Sequence, residues 1–280
     1  HPLRLPRPGR RTHAAVAAVL LGVWVVVMQV RLTSFALADI MGALAASPDE
    51  AAWVNVSYTV AELLAIPLAS ALSSRFSTRR VLVPAALAFA LLSLLATQVL
   101  RLDELIVLRA LQGFSGGMLI PLATPTFQRE LLYRHRLTAF ALYGIASSAP
   151  IAVAPWIESY FVDDLSWRLV FVPPAILSLV AAGLAAWGMP VEPRVRVPRW
   201  PLDLGGTLLL PVGLAWIAVG TDKADRLDWF GSRWVVGTVL AGVLTLLAFV
   251  LHERSRPRPY FVNSLWKHRN FMLGLLTDRK

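Results

Sequence analysis

Long apolar runs, separated by short polar stretches rich in arginine, recur along the whole 280-residue chain. A hydrocarbon core about 30 Å thick is crossed by about 20 predominantly apolar residues in a helix. By that measure the pattern predicts eight spans, near 14–38, 51–73, 81–100, 105–126, 137–157, 168–189, 204–220 and 234–251. Backbone groups in lipid must find their hydrogen bonds inside the segment, so these are helices. The runs are too long for barrel strands and do not alternate. Local signals agree. Ser47-Pro48-Asp49-Glu50 reads as a capping box with proline at the first helical position, which starts the second span. Pro190, Pro193 and Pro198 punctuate an arginine-rich stretch after the sixth.

The polar connections fix an expected orientation. With the amino terminus inside, the inner segments carry 18 basic residues and the outer ones 5. The inner groups are Arg4 to Arg11, Arg75 with Arg79 and Arg80, Arg129 with Arg134 and Arg136, Arg194 to Arg199, and Arg254 to Arg269. That asymmetry satisfies the positive-inside rule, and a missed helix would scramble it. The first apolar run also resembles a signal peptide, with Ala43-Leu44-Ala45 as a cleavage site, but the repeated spans behind it favour a retained helix. Near the end, Asn270–Leu276 begins another apolar run that is too short to cross a bilayer, as expected of a ninth helix cut short.

Composition sharpens this picture. The chain is 56% hydrophobic and only 16% charged, against about 25% charged in ordinary soluble domains. Its formal charge of +10 sits between apolar runs rather than on a basic face, which argues against nucleic acid as a partner. With no cysteine there is no disulfide, thiolate metal site or cysteine nucleophile. All five histidines (His1, His13, His135, His252, His268) fall outside the spans, so no metal site is expected in the membrane. No phosphate-binding glycine loop and no nucleophile–base pair is present, so neither ATP-driven transport, an enzyme nor a cofactor is expected.

Three ionisable residues lie inside spans: Arg31, Glu62 and Arg109. Each costs about 2.5–3.5 kcal/mol on insertion scales, which makes each a functional candidate. Counting from the outer helix ends puts Arg31 about 10 Å deep, Glu62 about 17 Å and Arg109 about 6 Å. An arginine side chain is long enough to reach Glu62 from there. Two readings stand for Glu62, a carboxylate whose protonation changes during a transport cycle and a static ion pair. For Arg31 snorkelling to the interface is a third. Arg109 and Gln112 share a helix face and point at one cavity, while Gly113, Gly116 and Gly117 let another helix approach closely. Trp53, Trp156, Trp167, Trp229 and Trp234 fall at outer helix ends, as an aromatic belt would.

Arg109-x-x-Gln112-Gly113-x-x-Gly116 resembles the fourth-helix signature of the major facilitator superfamily. The wider sequence resembles its fourteen-span drug:proton antiporters, the EmrB-like multidrug efflux permeases. Pro48 to Trp53 with Tyr58 and Pro67-Leu68 is similar to their second helix, and Trp167-Arg168-x-x-Phe171 to the start of their sixth. Asp203-x-x-Gly206, Leu227 to Phe230 and Leu265 to Phe271 are similar to their extra helix pair and the entry to the next helix. The likeness covers essentially this whole chain but only somewhat more than half of a family member. Some positions depart from it. The family loop Gly-x-Leu-Ala-Asp-Arg-x-Gly-Arg stands here as Ser70 to Thr78, which keeps Arg75 but replaces the aspartate and both glycines. The antiporter motif Gly-Pro-x-x-Gly-Gly stands as Ala154 to Ser159, which keeps Pro155 and brings in Glu158. The first helix carries Gln29-Val30-Arg31-Leu32-Thr33 where the family usually has an aspartate.

The resemblance implies an all-α membrane fold of the major facilitator type, truncated before its C-terminal domain. A cytoplasmic tail (1–13) would precede a six-helix domain (14–189), a cytoplasmic linker (190–203), an additional helix pair (204–251) and a cytoplasmic loop with the start of a ninth helix (252–280). The implied activity is efflux of amphipathic or aromatic drug-like compounds across the inner membrane, coupled to proton influx. Glu62, Arg31 and Arg109 are its proton-coupling candidates, and Arg109, Gln112, Gly113 and Gly116 its cavity lining. Arg75, Arg79 and Arg80 belong to its gating loop, and Pro155 and Glu158 to its antiporter helix. The bilayer, a periplasmic adaptor and an outer-membrane channel are the implied partners. A non-transporting remnant or component that needs a partner chain, and a metabolite importer on the same fold, are the alternatives.

Overall fold

The computed structural model describes residues 9–164, 166–190, 204–222, 224 and 229–255. The expected linker beyond Pro190, the truncated ninth helix, and the motifs at Asp203, Leu227-Asp228 and Leu265 to Phe271 lie outside them. The described residues are helical, with no strand among them. In chain order the helices are α1 (Arg10–Phe35), α2 (Leu37–Leu44), α3 (Pro48–Phe76), α4 (Thr78–Ala96), α5 (Leu102–Gly117), α6 (Ala123–Glu130), α7 (Tyr133–Asp164), α8 (Val172–Gly188), α9 (Leu204–Asp222) and α10 (Arg233–Ser255). Seven of the expected spans are long and apolar enough to cross a membrane. The remaining one, in α9, offers a shorter apolar stretch, Leu208–Asp222.

The capping box forms as expected. The Ser47 amide donates to the Glu50 carboxylate at 2.9 Å and the Glu50 amide to the Ser47 hydroxyl at 3.4 Å, so α3 starts at Pro48. Two spans are less regular than their hydropathy. The first passes through Ala36 into the separate short helix α2. The fourth breaks after Gly116-Gly117 into a short 3-10 turn, Ile120–Leu122, before α6 resumes. Two adjacent glycines weaken the helix there, and Pro121 removes an amide donor.

α1 packs on α7 and α8, α3 on α5, α4 on α8, and α9 on both α10 and α3. The interior holds two apolar clusters stacked along the helices. One gathers Val19 and Val26 of α1, Tyr58 of α3, Phe89 of α4, Leu119 and Phe127. The other gathers Met28 and Leu32 of α1, Val54 of α3, Ala96 of α4, Leu105 of α5 and Phe171. Between them on three helices lies a layer of buried polar residues, Gln29, Ser93, Arg109 and Gln112, with Val54 and Tyr58 bounding it on α3. Leu87, Leu91, Leu240, Leu244 and Leu247 remain exposed, as residues solvated by hydrocarbon would be.

Candidate functional site

The polar layer is built on the contact between α3 and α5. A Cβ added at Gly113 would strike the backbone of Tyr58, and one at Gly117 the backbone of Glu62. One turn towards the start of each helix, the Arg109 Nε donates to the carbonyl of Val54 at 3.3 Å. The pairs 109–54, 113–58 and 117–62 step by four residues in the same direction on both helices, so α3 and α5 run parallel with their backbones in contact. The ends of α3 and α6 therefore share one side of the molecule, as the expected alternation of spans requires.

Arg109 is fully buried. Its Nη1 donates to the Gln112 Oε1 at 2.8 Å, and the Gln112 amide donates to the Ser93 hydroxyl at 2.6 Å. Ser93 passes the chain on to the Phe89 carbonyl at 2.8 Å. The guanidinium carbon lies 4.1 Å from the centre of the Tyr58 ring, a cation–π contact. Two buried atoms of this network, Arg109 Nη2 and the Tyr58 hydroxyl, have no hydrogen-bond partner among the described residues, and neither has the buried Gln29 Oε1 on α1. Unpaired polar atoms in a low-dielectric interior are costly, and they persist where a ligand, water or a second conformation uses them.

Glu62 lies one turn beyond Tyr58 on α3, half-buried and within electrostatic reach of Arg109. Arg31 is elsewhere. It is exposed on α1 and makes no ion pair with Glu62. Gln29 and Thr33 face inward instead, both fully buried, with the Gln29 amide donating to the Thr33 hydroxyl at 2.9 Å. Sequence reasoning does not single out Tyr58, Ser93 or Gln29 as site residues. Only for Gln29 is a signal present, because four residues separate it from Thr33 on one face, whereas Arg31 points the opposite way.

Comparison with known proteins decides the family. The pattern of the Major Facilitator Superfamily matches residues 19–254. The chain belongs to this superfamily. It is 29% identical over 275 residues to the probable multidrug resistance protein EmrY of Escherichia coli K12, covering 97% of this chain and 53% of the relative. It is 26% identical over 274 residues to the multidrug export protein EmrB of the same organism, covering 97% and 53%. The chain thus spans about half the length of the curated relatives it matches. The solved structure of the POT family transporter PepTSo shares the fold, with a TM-score of 0.56 at 17% identity, covering 90% of this chain and 56% of that one. Fold and family are those of transporters, and the chain is a multi-pass membrane protein.

The other superfamily positions fall at some distance from the polar layer. Arg75 and Arg80 are exposed at the α3–α4 connection, and Arg79 donates to the Met189 carbonyl at the end of α8 at 3.2 Å. Ser77, where the superfamily loop has its second glycine, has φ 100° and ψ 150°. That region favours glycine. Pro155 is exposed and Glu158 half-buried within an α7 that stays helical through Pro150 and Pro155. Trp53, Trp156, Trp229 and Trp234 are exposed, whereas Trp167 is buried under the Arg168 guanidinium, 5.3 Å from its ring centre. Trp167 therefore anchors the start of the sixth span instead of joining a lipid-facing belt.

Proposed function

We propose that this chain provides the amino-terminal helices of a secondary exporter of amphipathic, drug-like compounds in the inner membrane, with its amino terminus in the cytoplasm. Export is coupled to inward proton movement. Arg109 and Gln112 bind in the central layer, and Glu62 is the group that exchanges the proton. The observation that carries this reading is the fully buried guanidinium of Arg109, held by Val54, Gln112 and Tyr58 yet with Nη2 unpartnered. A purely structural ion pair would leave no such free donor, and a packing role would not need a charge. The multidrug export relatives support the substrate class, and the arginine asymmetry of the connections supports the orientation. A periplasmic adaptor and an outer-membrane channel complete the route outward.

A second reading rests on the length of the match. Alternating access uses two helical domains rocking about a central site, and this chain spans about half of its relatives. On that reading it acts as a membrane component together with a partner chain. Reconstitution into proteoliposomes tests both. Movement of a fluorescent lipophilic dye under an imposed pH gradient, abolished by Glu62→Gln with insertion intact, supports proton-coupled export. Unchanged dye export in Glu62→Gln removes Glu62 from the mechanism. Correctly folded protein that moves no dye under any gradient supports the second reading.

A further inference from the structure

A lateral groove of about 390 Å³ opens between α3, α4 and α5, away from the polar layer. Its walls are nearly all apolar and include Phe76, Pro84, Ala88, Phe114 and Met118, with Arg80 among its lining. Pro84, Ala88 and Phe114 are exposed, as are Leu87, Leu91 and Leu111 alongside, so the groove opens on an apolar outer face of the described bundle, of the kind that hydrocarbon solvates. From Arg80 to Ala88 it follows α4 for about 12 Å, roughly the depth of one leaflet. Its shape suits an acyl chain.

Charge at the mouth selects the head. The stretch from Ser70 to Arg80 holds three arginines and no acid, and Ser74 stands where the superfamily loop carries its aspartate. Arg79 is engaged with Met189, while Arg75 and Arg80 are exposed. Pro84 has no amide to give to the carbonyl of Arg80, so an acceptor is also freed beside the guanidinium. An uncompensated arginine pair at the membrane surface attracts anionic lipid. The freed carbonyl suits a headgroup with a hydroxyl donor.

We propose that this groove is a binding site for one anionic phospholipid of the adjacent leaflet, with its phosphate on Arg80 and an acyl chain lying along Pro84, Ala88 and Phe114. The site is independent of whether the chain transports anything. Native mass spectrometry of the full chain tests it, after equilibration with equal amounts of phosphatidylglycerol and phosphatidylcholine bearing the same acyl chains. The expected result is one retained lipid, with phosphatidylglycerol favoured about fivefold. Arg80→Gln brings the two lipids close to parity. Ala88→Phe, which fills the exposed groove without touching the core, lowers retention of both, and Ala88→Leu does so in part should the larger ring disturb α4. Arg101→Gln, at the opposite side, changes nothing. Parity in the unaltered chain, an undiminished preference in Arg80→Gln, or full retention in both Ala88 variants would overturn the proposal.

Discussion

Two helix contacts in this molecule use glycine to bring backbones together, and they differ in what the closeness achieves. α9 and α10 form an antiparallel hairpin in which Gly213 abuts Leu246, Gly220 abuts Thr238 and Gly242 abuts Ile217. Thr238 bonds only carbonyls of its own helix. α3 and α5 are not neighbours in the chain and run parallel, with Gly113 and Gly117 set against the backbone at Tyr58 and Glu62. There the approach also brings the Val54 carbonyl within 3.3 Å of the Arg109 Nε and the Tyr58 ring under its guanidinium. Close packing in the hairpin holds two helices. In the parallel pair it also aims a charge.

The sharpest way to separate the two roles is Arg109→Met. The change removes a buried charge but leaves the Gln112 Oε1 without its donor, so a cost of about 2 kcal/mol is expected, small against a complete loss of transport. Dye transport in proteoliposomes should fall to background. A large loss of thermal stability with transport retained would make Arg109 structural. Next comes Gly113→Ala, whose methyl meets backbone that cannot step aside, with an expected cost of about 3 kcal/mol in detergent unfolding followed by tryptophan fluorescence. Ser93→Ala leaves the Gln112 amide without its buried acceptor and should cost about 2 kcal/mol, with no shift in helix content by circular dichroism. Ser77→Gly relaxes the positive φ at the α3–α4 connection and loses only a weak cap, for an expected gain of about 1 kcal/mol. The smallest effect belongs to Gly213→Ala. Its methyl meets the movable Leu246 side chain at 2.7 Å and the Gly242 carbonyl oxygen only at 3.2 Å, and the higher helix propensity of alanine offsets part of the shift, so stability should fall by less than about 1 kcal/mol. If Gly213→Ala proves as damaging as Gly113→Ala, the contrast between the two contacts fails.

Much of this arrangement is legible in the sequence. Hydropathy locates the spans, Ser47 and Glu50 mark the start of α3, and the three-residue spacing of Arg109 and Gln112 matches their 2.8 Å hydrogen bond. The glycines at 113 and 117 announce a close contact, but not its partner. Tyr58 and Val54 are set by long-range packing that no local spacing encodes. Charge draws attention to Arg31, whereas helical period already puts Gln29 and Thr33 on the buried face of α1. The interruption of the fourth span is written in Gly116, Gly117 and Pro121, yet hydropathy averages across such breaks because it registers solvent preference and not hydrogen bonding.

That interruption has a mechanical consequence. The segment bearing Arg109 is clamped to α3 along its length, while the Ile120–Leu122 turn acts as a knuckle beyond it. Leu122, Ala123 and Phe127 are buried in the cluster that holds Val19 and Val26, so the turn redirects the chain without loosening it. The first half of this span is thereby fixed by α3 and the second half by α1, and a displacement of either partner reaches Arg109 from a different end.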